Sequence, residues 1–178
     1  MRLISFLLNN TACYGAVHGN RVLNLSPIFG AEAPDLKTLI AKKMLAQAAQ
    51  ALSKHTPDLI FEDLSLLPVI PNPEKIMCVG LNYHDHVKET GRDLTEKPAI
   101  FSRVNSSQVG HGQDIMRPPE SHRLDYEGEI AIIIGEGGRR ISEADAWKHI
   151  AGYSCYNDGS VRDWQNFTTQ WTAGKNFW

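Results

Sequence analysis

Three prolines within six positions, Pro68, Pro71 and Pro73, interrupt Leu66-Leu67-Pro68-Val69-Ile70-Pro71-Asn72-Pro73. Each lacks a backbone N–H and biases the residue before it toward extended backbone, so neither helix nor central strand passes through this stretch. It divides the 178 residues into a small module, 1–70, and a larger one, 71–178. In the first module Leu3–Leu8, Cys13–Val17 and Arg21–Leu25 are short apolar runs, separated by Asn9-Asn10 and His18-Gly19-Asn20. Such spacing predicts a meander of hairpins. Asp35 then stands as N-cap of a helix running to about Leu52, with Leu36, Leu39, Ile40, Met44, Leu45 and Ala48 on one face.

The larger module alternates short strands with loops: Lys75–Val79, Pro98–Phe101, the strongly apolar Tyr126–Gly135, and Gly152–Asn157. Ser142 opens a short helix to about Ile150, with Asp145 three residues on, and Ser160 caps a turn of helix through Gln165. Many strands and few short helices predict a β-rich α+β fold. The formal net charge of −2 argues against a sequence-independent nucleic-acid binder. Apolar runs such as Ile130–Ile134 are too short for a bilayer, and Asn9-Asn10 interrupts the apolar N-terminus. The expectation is a soluble, cytoplasmic protein with no nucleic-acid or membrane partner. Cys13, Cys78 and Cys155 show no paired spacing and are read as free thiols packed in apolar strands.

Glu127 and Glu129 alternate with Gly128, so in a strand both carboxylates project from one face. Like charges that close need a cation between them, for which a hard divalent ion such as Mg²⁺ is suited; a solvated strand start is the other reading. Asp158 sits where a strand ends, either as a third oxygen ligand or as part of an Asn-Asp-Gly turn. His86 and Glu89, at i and i+3 of a helical turn over His84–Thr90, are either a water-activating pair or neighbours on a polar helix face. Lys175 follows Gly174, but the spacing is not that of a phosphate-binding loop.

Five motifs in order span residues 75–177: Gly80-Leu81-Asn82-Tyr83-His84-Asp85-His86-Val87-Lys88-Glu89; Ser106-Ser107 with Gly110-His111-Gly112; Asp125-Tyr126-Glu127-Gly128-Glu129-Ile130-Ala131; Asn157-Asp158-Gly159-Ser160-Val161-Arg162-Asp163-Trp164-Gln165; and Gly174-Lys175-Asn176-Phe177. Together they resemble the fumarylacetoacetate hydrolase family, with residues 1–70 similar to its small N-terminal domain. The resemblance implies a mixed β-sandwich roll preceded by a small α+β domain. It implies Glu127, Glu129 and Asp158 as ligands of Mg²⁺, Mn²⁺ or Ca²⁺, and His86 with Glu89 as the water-activating dyad. It further implies Lys175 at the substrate, with Arg162 and Gln165 lining the same pocket.

The activity so implied is hydrolysis of a C–C bond in a small 2-oxo or 1,3-diketo acid of the acylpyruvate type. The activated water attacks a carbonyl and the product leaves as an enolate held at the metal. Decarboxylation of oxaloacetate and isomerisation of hydroxymuconate-type acids are the alternatives within the family. Two departures stand out. Arg103 occupies a position where the family commonly has lysine, and the sequence stops at Trp178 where members continue. The expectation is a C-terminally shortened member, a homodimer if the whole domain were present, and the rival reading is a non-catalytic remnant.

Overall fold

The computed structural model describes residues 1–83 and 97–177. They form two compact units: residues 1–72, 109–114 and 128–156, and residues 73–108, 115–127 and 157–178. The 1–70 module lies wholly in the first unit, whereas the later stretch contributes to both.

The first unit is built on the expected meander. Strands β1 (Arg2–Leu8), β2 (Thr11–His18) and β3 (Arg21–Asn24) pair antiparallel in sequence order. Asn9 and Asn10 both adopt positive φ (50° and 62°), which gives the tight β1–β2 turn the twist its strands require. After α1 (Ser26–Phe29), α2 (Leu36–Ala41) and α3 (Leu45–Lys54), the short strands β4 (Leu59–Ile60) and β5 (Ser65–Leu66) complete a five-stranded sheet of order β4-β3-β2-β1-β5. Alternation puts Tyr14 and Ala16 under the helices with Leu36, Leu39 and Ala48. Phe6, Val17, Val22 and Leu66 cluster separately.

The helix expected from Asp35 to Leu52 is in fact two. Asp35 does cap it, its Oδ1 accepting from the Thr38 amide at 2.7 Å. The break lies at Lys43, whose φ of 59° is left-handed. The Met44 amide donates to Leu39 O (3.0 Å) and that of Lys43 to Ile40 O (2.8 Å), the paired closure that ends helices at a left-handed residue. Lysine carries none of the glycine or asparagine signal for such an end. The Lys43 ammonium meets Glu136 at 2.9 Å.

Strands β6 (Ile76–Gly80) and β7 (Ala99–Arg103) pair antiparallel, as do β8 (Leu124–Asp125) and a later strand described with the site. Strands β9 (Gly128–Ile134) and β10 (Ile150–Asn157) form a two-stranded sheet, bridged by a 3₁₀ helix over Glu143–His149. Ser142 caps that helix as expected, accepting from the Asp145 amide at 3.2 Å. Along β9, Ile130, Ile132 and Ile134 are 68%, 53% and 62% exposed, while Glu129, Ala131 and Ile133 are half-buried on the opposite face. The cysteines are free, but Cys155 is exposed and not in the core: strand alternation turns it outward.

Burial sets an expected contrast. Ile132→Thr removes little packed surface and should shift stability by no more than about 0.5 kcal/mol. Leu39, fully buried beneath the sheet, should lose about 2–5 kcal/mol as Leu39→Ala. Urea unfolding of both variants checks this; equal losses would mean that β9 buries its isoleucines in solution.

Candidate active site

The second unit gathers an acidic pair from two chain crossings. Strand β11 (Ser160–Val161) pairs with β8, Ser160 opposite Asp125 and Val161 opposite Leu124. Just beyond the pairing, the Asp158 amide donates to Glu127 O at 2.8 Å and the Glu127 amide donates to Asn157 Oδ1 at 3.0 Å. These clamps bring the Glu127 and Asp158 side chains to one place. Ser160, expected to cap a helix, instead ends its side chain there: its hydroxyl donates to Glu127 Oε1 at 2.8 Å and lies 2.9 Å from Asp158 O. The helix α4 (Arg162–Gln165) begins after Val161 without a side-chain cap.

Three cations converge on the pair. Arg103, the last residue of β7, places Nη1 at 2.5 Å from Asp158 Oδ1 and 3.1 Å from Gly159 O. Lys175, at the end of α5 (Thr172–Lys175), places Nζ at 2.6 Å from Asp158 Oδ2 and 3.1 Å from each oxygen of Glu127. Arg162 reaches Glu127 Oε1 at 2.5 Å through Nη1 and Asp125 Oδ2 at 2.8–2.9 Å through Nη2 and Nε. Gln165 Oε1 accepts from the same Nη1 at 2.9 Å. Phe101 lies 4.9 Å from the Lys175 ammonium, a cation–π distance, and meets Trp171 edge-on.

Burial makes these contacts electrostatically strong. The side chains of Asp158, Lys175 and Arg103 are only 5%, 2% and 7% exposed, whereas Arg162 is 25% exposed. Burial pushes the Glu127 carboxyl up, but the Lys175 charge, the Ser160 hydrogen bond and the Arg162 charge together hold it below the usual carboxylate range. Arg162 is likewise pulled down by burial and raised on balance by Asp125 and Glu127. The Nε of Arg103 is buried and has no hydrogen-bond partner among the described residues.

Glu127, Asp158, Arg162, Gln165 and Lys175 are thus brought together. Glu129 lies in β9, half-buried, and belongs to the first unit. His86 and Glu89 lie outside the described residues. Sequence reasoning missed Ser160 and Asp125; the latter had a signal, since Asp125, Glu127 and Glu129 share one parity. Among the described residues no three His, Cys, Asp or Glu side chains are grouped to hold a metal ion. Glu127 and Asp158 nevertheless offer hard oxygen donors to a single cationic point, now the Lys175 ammonium, which is the donor chemistry Mg²⁺ and Mn²⁺ require.

The sequence of residues 75–178, more than half the chain, matches the family described as fumarylacetoacetate (FAA) hydrolase, C-terminal. The chain belongs to the fumarylacetoacetate hydrolase family. Human mitochondrial oxaloacetate tautomerase FAHD2A is 36% identical over 165 residues, 90% of this chain and 52% of that relative. The fumarylacetoacetate hydrolase of Exiguobacterium antarcticum superposes with a TM-score of 0.73 at 29% identity, over 98% of this chain and 61% of that one. Maleylpyruvate hydrolase from Sphingobium sp. SYK-6, solved with manganese(II) and pyruvate, gives 0.73 at 26% identity, over 91% and 60%. The chain therefore spans about half the length of the curated family relatives it matches. Its mixed α+β, sheet-rich architecture is that of the family. Among the described residues no helix is long and apolar enough to cross a membrane.

Proposed function

We propose that this chain carries the metal and substrate site of a divalent-metal-dependent enzyme acting on a small 2-oxo acid, by enol–keto proton transfer next to the carbonyl of an oxaloacetate-like compound. The observation that carries the reading is half-buried Glu127 and buried Asp158 converging on one cation beside the partly exposed Arg162. The human relative's name, an oxaloacetate tautomerase, supports the substrate class. Glu127 and Asp158 would hold Mg²⁺ or Mn²⁺, which when bound supplies Lewis acidity that polarises a carbonyl and favours enolate charge.

The chain's own residues do the rest. Arg162 holds Glu127 and Asp125 while keeping a quarter of its side chain in solvent, so it is the cation that meets a substrate carboxylate. Gln165 fixes the guanidinium from the other side. C–C hydrolysis is the second reading, favoured by the His86–Glu89 spacing and by the maleylpyruvate hydrolase relative; there His86, assisted by Glu89, takes a proton from the attacking water. A homodimer, if the whole domain is present, is part of the same proposal.

Four assays run with Mg²⁺ and with chelator test the reading: ketonisation of enol-oxaloacetate, acylpyruvate cleavage, oxaloacetate decarboxylation and hydroxymuconate isomerisation. At least one rate should collapse with chelator and fall about 100-fold or more in Glu127→Ala. Activity indifferent to chelator, or retained in Glu127→Ala, overturns it.

A further inference from the structure

Lys175 is nearly fully buried and spends its ammonium on carboxylates, a position from which it meets no substrate. Among the described residues, the six charges that meet here, Asp125, Glu127 and Asp158 against Arg103, Arg162 and Lys175, cancel. A divalent ion entering a balanced cluster must expel a cation from some of the oxygens. The hydrogen bonds identify which one. Arg103 holds Asp158 Oδ1 and Arg162 holds Glu127 Oε1. Among the described residues, the two oxygens that neither arginine touches, Glu127 Oε2 and Asp158 Oδ2, are held by Lys175 alone, at 3.1 and 2.6 Å.

The geometry points to Lys175 as an internal stand-in for the metal, which the divalent cation displaces while both arginines stay. This rests on the metal reading above. Arg103 is anchored at two points, Asp158 and Gly159 O, in a planar fork. Lys175 is a point charge on a four-carbon stem that swings by bond rotation, with the Phe101 face 4.9 Å away. Once its oxygens are taken, the ammonium is released beside the site and becomes the second cation, after Arg162, for an anionic substrate. Metal binding therefore precedes substrate binding, and metal affinity is set against a charge built into the chain.

Mn²⁺ binding without substrate, read by calorimetry at one fixed pH, tests this on wild type, Lys175→Met and Glu127→Gln. Lys175→Met should bind Mn²⁺ about tenfold tighter or more, because the competing charge is gone, while Glu127→Gln loses binding. Equal affinity in wild type and Lys175→Met, with binding lost in Glu127→Gln, overturns the stand-in role and leaves the metal reading intact. Wild-type binding retained in Glu127→Gln overturns the metal reading, and the stand-in role with it. Should Lys175→Met not fold, the wild-type protein decides by nitrogen-15 NMR of the lysine ammonium groups. The Lys175 signal should shift in step with Mg²⁺ saturation, and an unmoved signal at saturation overturns the inference.

Discussion

Asp158→Ala should remove about 3–5 kcal/mol of folding stability, because it strands cations that have little else to hold them. Among the described residues, Arg103 would keep only Gly159 O, and its Nε already lacks a partner there. Lys175 would keep Glu127 but lose its shortest bond. For a chain of this length the loss corresponds to a fall in Tm of roughly 6–20 °C. Replacing the pair together, Asp158→Ala with Arg103→Met, removes both the acid and the guanidinium it held, so the double variant should be more stable than the sum of the singles requires. A coupling of about 0.5–3 kcal/mol in a urea-unfolding cycle is expected. Strict additivity would mean that Arg103 and Asp158 do not meet in solution.

Gly174→Ala should be the most damaging methyl addition in the site. A Cβ there would fall 2.5 Å from Gln165 Cα and 2.6 Å from its Cβ, against the backbone of α4, which has no room to yield. Helix α5 must then lift away from α4, carrying Lys175 with it. The expected loss is about 1–3 kcal/mol or more from overpacking, together with weakened hold on Glu127 and Asp158. Gly152→Ala in β10 is the control, since its added carbon meets nothing within 4 Å. Thermal melts that rank the two variants alike would contradict this packing of α4 on α5.

What was legible in the sequence was local. Asn9-Asn10 and the glycine at 19 announce hairpins through backbone conformations that few other residues accept, and β1–β3 follow. Asp35 and Ser142 announce caps through side-chain oxygens within three residues of their donors. The end of α2 at Lys43 was not legible, because a lysine pays the left-handed strain there without a compositional mark. The single strand face expected to carry both Glu127 and Glu129 is not formed, because β9 begins at Gly128 and Glu127 lies before it. The partners of Asp158 follow from no local pattern: Arg103 lies 55 residues away in sequence and Lys175 lies 17 away. Such meetings are made by tertiary packing, and no periodicity encodes them. Family resemblance supplied Lys175 and Arg162, yet it offered no warning that Lys175 is buried against the acids, or that Ser160 turns its hydroxyl to Glu127 in place of capping a helix. Cys155 shows the same limit in small, since an apolar strand does not reveal which face is covered.

The most direct measurement is anomalous diffraction from crystals of the protein soaked with Mn²⁺ and oxalate, a stable mimic of a 2-oxo acid enolate. A single strong peak within about 2.0–2.6 Å of carboxylate oxygens from both Glu127 and Asp158 is expected. In that state the Lys175 ammonium should have left those oxygens and oxalate should lie within reach of Arg162. A peak elsewhere on the chain, or none at Mn²⁺ concentrations that support turnover, would contradict the assignment of this cluster as the metal-dependent site.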